Sequence, residues 1–488
     1  MFSTSSLLLL EAIGINIFVP LIAGILFLWI FFGTWIRGMA LYSIAFFIGT
    51  GVIAYSLFNL QFLYFGVGMM EYLVLVAILS CMLIAKLYFR KEKFRNYWNT
   101  LRISFSGKTL LGAFRESSFI QKIIIIWGFF FVVSFSVVGF VFASHFPTYA
   151  DDSFGNWNKP AINIYYDGGV EIFGTAEERL GRGREGYPIF MPIYKALISD
   201  SLGSFNDIYI NFWQYFGFLF FLIFIVSVTF ERTQNLLLSL LPAILVTGLP
   251  LIFFHSVEGY YDLACALYST FTVYFLYRFL EEGDEKNLLL AFLFGCILTN
   301  IKNDGLVVYF IGIFLAFFVI VLLRKQAISF FRSVLTQKKT LFSLLGSIAW
   351  FIAPAMFLKY YYGLGFNQAA GQTTGIGLSD TIHSEIFSVF PTIFFGEDNY
   401  NIALVFVVFL LFVPFWKKRT DIYPKLFLVL ASIFVFCILI AVFLFTENYL
   451  WVMNQTTVNR VFTMVFVLLF SFSGILLYDK NHKKGSLL

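Results

Sequence analysis

Long apolar runs dominate this chain, and polar residues are confined to the short stretches between them. Crossing about 30 Å of hydrocarbon takes about 20 mostly apolar residues in helical form, and about thirteen stretches approach that length. They fall near residues 7–32, 39–58, 71–89, 122–143, 206–229, 236–254, 260–280, 287–301, 303–323, 340–358, 401–416, 424–445 and 459–478. The pattern predicts an all-α polytopic membrane protein. Two of the runs, 287–301 and 401–416, are short and are expected to be tilted or partly re-entrant.

Composition agrees. Of 488 residues, 60% are hydrophobic and only 12% charged, more apolar surface than a soluble domain of this size can hide. The 67 phenylalanines read mainly as lipid-facing bulk. Four cysteines (Cys81, Cys265, Cys296 and Cys437) lie inside apolar runs without a CxxC spacing, so they read as small core residues. The first run has no basic residue before it and is too long for a signal-peptide core, so it is expected to be retained.

A formal charge of +5 would hint at nucleic acid in a soluble protein. Here the placement of the cations gives a simpler reading, and no nucleic-acid partner is expected. Alternation through the predicted helices puts 25 of the 33 lysines and arginines on one side, including the basic segment from Lys86 to Lys122. The positive-inside rule makes that side cytoplasmic, with the N-terminus external and the C-terminus cytoplasmic. Of the 28 acidic residues, 19 fall on or near the opposite side. Polar chemistry therefore collects on the external face.

Its largest loop, His145–Phe205, opens with the adjacent carboxylates Asp151 and Asp152. The residues Trp157, Lys159, Ala161, Ile162, Ile164 and Tyr165 suit a short helix lying flat on the bilayer, and Tyr187 to Ile198 a second. Arg179, Arg182 and Arg184 lie on a glycine-rich connection between them. Further along, "HSVEGYYD" offers His255, Glu258 and Asp262; the last two are four residues apart and are expected on one helical face. "TNIKNDGL" holds Lys302 and Asp304 in a break of one or two residues. Arg460 opens the last helix. Each has an ordinary explanation: solvated loop charges, a snorkelling arginine, a hydrogen-bonded interface histidine. Their joint position on one face favours a site.

The order of these motifs resembles the GT-C superfamily of membrane glycosyltransferases, multi-pass enzymes of the protein mannosyltransferase and aminoarabinose transferase type that use polyprenyl-phosphate sugars. The resemblance is carried by Asp151–Asp152, "WNKPAINIYYDGG", "GYPIFMPIYKALI", "EGYYDLACALYSTFTVYFLYRFL", "LLLAFLFGCILTNIKNDGL" and "TTVNRVF", covering residues 122–323 and the patch around Arg460. Two departures stand out. Three helices precede the catalytic loop, which in the superfamily normally follows the first helix, and no soluble C-terminal domain of the kind some members carry is expected.

The resemblance implies three parts: an added N-terminal module with its basic segment (1–121), a GT-C-like core with external loop 145–205 (122–323), and C-terminal helices with external loop 359–400 (324–488). It implies an inverting glycosyltransferase that moves a hexosyl or pentosyl group from a polyprenyl-phosphate donor to a glycan, lipid or protein hydroxyl, at the external or periplasmic face of the plasma membrane in the service of the cell envelope. Asp152 or Asp151 would be the base. Arg460, Lys302, Arg182 and Arg184 would hold the departing phosphate. Glu258, Asp262, His255, Asp304, Trp157 and Tyr187 would contact sugar or acceptor. Metal dependence stays open in the superfamily; Mg or Mn, if used, would fall to Asp152, Glu258 and Asp262. Two other classes compete: a flippase or transporter for a lipid-linked saccharide, expected to carry charges at mid-membrane, and a polysaccharide polymerase or ligase.

Overall fold

A computed structural model describes residues 4–478 apart from 64, 102–106, 149–152, 171–186, 325–335, 362–378, 380, 397–400, 416–421, 447 and 455–457. Among the described residues the elements are helices. Those used below are α1 (Thr4–Phe32), α2 (Gly38–Gln61), α3 (Met69–Arg90), α4 (Phe119–His145), α5 (Lys159–Asp167), α6 (Phe190–Ser201), α7 (Phe212–Thr233), α8 (Leu236–Thr247), α9 (Pro250–Val257), α10 (Tyr261–Glu282), α11 (Glu285–Leu298), α12 (Ile311–Leu323), α13 (Ile422–Phe445) and α14 (Val458–Phe470).

Local chemistry sets many of the ends. Ser118 and Gln121 form a reciprocal cap at the start of α4, with Gln121 N donating to Ser118 Oγ and Ser118 N to Gln121 Oε1, which satisfies two donors the helix itself leaves open. Asn235 caps α8 by accepting from Leu238 N at 3.1 Å. Gly283, at φ +71°, ends α10 in the left-handed region that glycine enters at little steric cost.

Among the described residues, nine helices are long and apolar enough to cross a membrane, and a tenth crossing arises if α8 and α9 are counted together. Of the about thirteen expected runs, four depart from a single long spanning helix, two of them (287–301 and 401–416) being the short runs expected to be tilted or partly re-entrant. The run at 236–254 bends by 82° between α8 and α9, because Leu249 before Pro250 is driven to an extended conformation (ψ 127°). The run at 287–301 closes as a 14-residue helix at Leu298. The run at 401–416 is a 12-residue helix, Asn401–Phe412, followed by one tight turn. The last run breaks after Phe470 and resumes at Ser473.

The spanning helices divide by what covers them. Over their most apolar stretches, α2 is 94% and α10 89% buried inside the protein, whereas α3 and α4 are 17% buried. Ile126, Trp127 and Phe130 on α4 point outward, each more than half exposed. An apolar band of that extent is stable only against lipid, so this is a membrane-spanning protein whose surroundings are a bilayer.

The centre is an aromatic cluster of Phe47, Trp213, Tyr268, Phe271 and Phe294. Its polar atoms are tied: Trp213 Nε1 donates to Thr50 Oγ1 at 2.9 Å and Tyr268 OH to Phe47 O at 2.8 Å. Buried polar groups cost stability unless hydrogen-bonded, and these are.

The two ends of the bundle differ. At one, Arg232 meets Glu281 and Glu282, Arg278 meets Glu282 at 2.6 Å, Arg324 donates to Leu280 O, and Lys86 donates to the carbonyls of Trp29 and Ile30. These loops are the ones alternation places on a single, basic side. At the other end lie the starts of α10 and α14 and the ends of α4 and α9, and with them the candidate site.

Two short helices correct a further expectation. Trp157, Ala161 and Ile164 are buried, and α5 packs on α6 rather than resting its apolar face on lipid. Every residue of α6 from Phe190 to Ser199 is buried. A helix apolar nearly all round is a core element rather than an interfacial one.

Helices α1 and α2 approach so closely that a Cβ built at Gly24 would lie 1.8 Å from Ala45 O, and one at Gly49 1.8 Å from Pro20 O. Only glycine permits backbones to meet at that distance. Gly49→Val should therefore lower the melting temperature in detergent, with a cost of about 1–3 kcal/mol for overpacking. Gly14→Val, in the same helix pair but with nothing within 4 Å of its built Cβ, should be silent in the same melt.

Candidate functional site

The site is built around a chain break. Helix α11 ends at Leu298, and Gly305 returns so tightly that a Cβ on it would fall 2.1 Å from Leu298 O. Thr299 to Asp304 are thereby held in the bundle's interior end. Asn300 Nδ2 fastens the turn by donating to Phe351 O at 2.7 Å. The consequence is that Lys302, 5% exposed, is directed at the first turn of α10.

There it meets Asp262, with Nζ 2.6 Å from Oδ1, and also Asp304 Oδ2 at 3.1 Å. Arg460, opening α14, brings its Nε to 3.6 Å from the other Asp262 oxygen and lies over the Tyr260 ring at 4.8 Å. Two cations and two carboxylates from three widely separated parts of the sequence thus share one cluster. Burial works against the Lys302 ammonium, but Asp262 and Asp304 outweigh it and hold its pKa well above the ordinary lysine value. A raised lysine pKa means that the pair's stabilisation is present in full below the unfolded value of about 10.4. Experiments near neutral pH therefore sample the intact pair.

His255 and Tyr260 flank the cluster. The imidazole is 1% exposed, its ring centre 5.2 Å from that of Tyr260, and it is within electrostatic reach of Asp262, Arg460 and Lys302. Gln214 Nε2 fastens this connection by donating to His255 O at 2.9 Å and to Tyr260 O at 2.8 Å. On the other side, Trp157 stands edge-on to Tyr187 (5.1 Å) and to Tyr261 (4.6 Å). The long loop's aromatic residues therefore border the same segment that carries Asp262.

Glu258 departs from expectation. It is not on a shared helical face with Asp262, because α9 ends at Val257, Glu258 is extended (φ −89°, ψ 154°) and α10 begins only at Tyr261. Gly259 sits between them against Asn211, Lys195 and Ser153; its built Cβ would be 2.9 Å from Asn211 Oδ1 and 3.3 Å from Lys195 Nζ. The buried Glu258 accordingly acts on Lys195, while Asp262 pairs with Lys302.

The cluster around Asp262, with His255, Trp157 and Tyr187 at its margin, is where the structure gathers the sequence candidates. Asp151, Asp152, Arg182 and Arg184 lie outside the described residues. Ser153, next after Asp152 in the chain, lies 3.4 Å from the Cβ position of Gly259. Of the proposed metal ligands, Asp152 is outside the described residues and Asp262 is engaged by Lys302 and Arg460. Among the described residues, no three His, Cys, Asp or Glu side chains converge as a metal site would require.

Sequence reasoning missed Lys195, Asn158, Asn211, Asp207 and Thr148. Lys195 Nζ donates to Asn158 Oδ1 and, at 2.7 Å, to Asn211 Oδ1. Asn158 donates to Asp207, whose other carboxylate oxygen accepts from Thr148 N at 2.7 Å. The available signal was a lone cation within "FMPIYKALI", an otherwise apolar stretch.

No protein-family model, curated protein or solved structure matches this chain.

Removing one member of a buried pair leaves the other charge uncompensated, at about 3–5 kcal/mol. Lys302→Met and Asp262→Asn should each destabilise on that scale in a thermal or denaturant melt of the detergent-solubilised protein. The double variant should lose clearly less than the sum, a coupling that separate, independent roles would not produce.

Proposed function

We propose that the chain is an inverting glycosyltransferase of the GT-C type, transferring a sugar from a polyprenyl-phosphate donor to an acceptor hydroxyl at the external face of the plasma membrane. The observation that carries the reading is the cluster of Lys302, Arg460, Asp262 and Asp304 at one end of the bundle, bordered by Trp157 and Tyr187 of the loop that holds Asp151 and Asp152. The basic loops gather at the opposite end, which the positive-inside rule makes cytoplasmic.

In this reading the anomeric carbon sits just above the hydrocarbon, and two groups act on it from opposite sides. Asp152 or Asp151 accepts the proton of the acceptor hydroxyl as the new C–O bond forms. The bond from the anomeric carbon to the phosphate oxygen breaks, and the phosphate leaves with the electron pair. Lys302 and Arg460 meet the charge that builds on it. Asp262 fixes both cations in advance, so little reorganisation is needed when that charge appears. Arg460 suits the task because its planar fork can grip phosphate through two bonds. Arg182 and Arg184 would add to the same charge from the loop. Tyr187, backed edge-on by the buried Trp157, would contact the sugar or acceptor, with His255, Glu258 and Asp304 as the polar groups nearby. A divalent ion, if used, would fall to Asp152 with a carboxylate of the "EGYYD" segment.

The assay is transfer by the purified protein from a radiolabelled polyprenyl-phosphate sugar. Asp151→Asn and Asp152→Asn, made one at a time, should leave expression unchanged, and at least one should lower the rate by a factor of 10² or more, the range for a lost general base. Full activity of the double variant would remove the base assignment. Arg460→Ala should reduce kcat/KM for the lipid donor about 100-fold or more, the range for a lost oxyanion donor. Sealed vesicles that move the labelled lipid across the bilayer without any transfer would favour a flippase instead.

A further inference from the structure

Close to the Asp262 cluster, a second ammonium is buried in a different setting. Lys195 is 1% exposed, and the acceptors its Nζ meets are amide oxygens, Asn158 Oδ1 and Asn211 Oδ1. Its Nζ also lies 5.1 Å from the centre of the Tyr261 ring. Both amides continue outward to the same two residues. Asn211 Nδ2 donates to Thr148 Oγ1 at 2.7 Å and to Asp207 O at 2.6 Å, and Asn158 Nδ2 donates to Thr148 Oγ1 at 3.3 Å and to the Asp207 carboxylate. Thr148 N in turn donates to Asp207 Oδ2.

The sequence positions make this knot informative. Thr148 lies three residues before Asp151 and Asn158 six after Asp152. Both flanks of the carboxylate pair are thus tied to one point, and that point also presses on Gly259, between Glu258 and Tyr260. A solvated loop has no reason to bury a lysine for this purpose.

We infer that Lys195 is a positioning residue, the hub of a clamp that pins both flanks of the Asp151–Asp152 segment to α6, to the start of α7 and to the Glu258–Tyr261 connection. The clamp stands on the geometry alone; its bearing on catalysis rests on the function proposed above.

The charge of the hub gives the clamp a pH signature. Burial pulls Lys195 down to about 7, against the attraction of Asp207 and Glu258. The groups that face it are those two carboxylates, the Tyr261 phenol, and the neutral amides of Asn158 and Asn211; Tyr194 precedes it on its own helix. A lysine exposed by opening the clamp regains its ordinary value of about 10.4. Between about pH 7 and pH 10 the open form therefore binds more protons than the closed one, and closure strengthens as pH rises through that window. A neutral amine still has two N–H groups, one for each amide.

The test is hydrogen–deuterium exchange on the full-length protein in nanodiscs, read in peptides covering residues 153–167 and corrected for intrinsic rates. In the wild type, protection should rise from pH 7 to pH 9 by up to about tenfold per unit, the limit for one linked proton. Lys195→Met should expose the same peptides and remove the pH dependence. Lys195→Arg, charged throughout, should also show none. Asn158→Ala provides a second route to the open state if Lys195→Met fails to fold. Wild-type protection that is flat with pH, or unchanged in both Lys195→Met and Asn158→Ala, overturns the clamp.

In the transfer assay, Lys195→Met should lower kcat about 100-fold, the scale for a misplaced reacting group, with donor KM within about twofold. Protection that behaves as described, in a protein that transfers no sugar, would sink the glycosyltransferase reading and leave the clamp standing. Transfer with flat protection would do the reverse.

Discussion

A charge inside a membrane bundle is tolerable only if other groups in the protein replace the water it has lost, and the end of the bundle that carries the candidate site is organised by that constraint. Lys302 is held under the surface by the tight return of Gly305 against Leu298. It is stable there because Asp262 and Asp304 meet its ammonium. Asp262, buried in turn, draws Arg460 from the far end of the sequence. Each member makes the next necessary, since a buried ion without its partner costs several kcal/mol. The same demand explains Lys195, whose ammonium is met by amides instead of carboxylates.

This constraint links packing to chemistry. Helix α10 is almost wholly enclosed, fixed by the aromatic cluster around Tyr268 and Phe271. Its first turn presents Asp262 and Tyr261 at a set position. The preceding connection is fastened by Gln214 to two carbonyls. Groups anchored this way need little rearrangement when charge develops nearby, which is the condition for electrostatic stabilisation. The lipid-facing helices α3 and α4 carry no comparable network among the described residues and serve chiefly as apolar wall.

Much of the architecture was legible in the apolar runs. A stretch of twenty such residues has few options other than a spanning helix, and most of the expected runs are helices of the expected extent. The runs that departed did so where local chemistry intervened. Pro250 turns the 236–254 run, and the return at Gly305 shortens the one before it. The flat interfacial helices were misread because amphipathic periodicity reports that a face is covered, and not whether lipid or protein covers it. For α5 and α6 the cover is protein.

By itself the sequence determined that the chain spans a membrane and which ionisable residues were candidates. These follow from composition and order, because hydrocarbon penalises charge wherever it occurs along a chain. The tertiary structure decided which candidates meet. Asp262, Lys302 and Arg460 are separated by 40 and 158 positions along the chain, and no local rule joins them. It also separated Glu258 from Asp262, because one helix ends at Val257, Glu258 is extended and the next helix begins only at Tyr261. Burial and pairing are properties of three-dimensional packing, so the partner of each charge becomes visible only once the helices are in place.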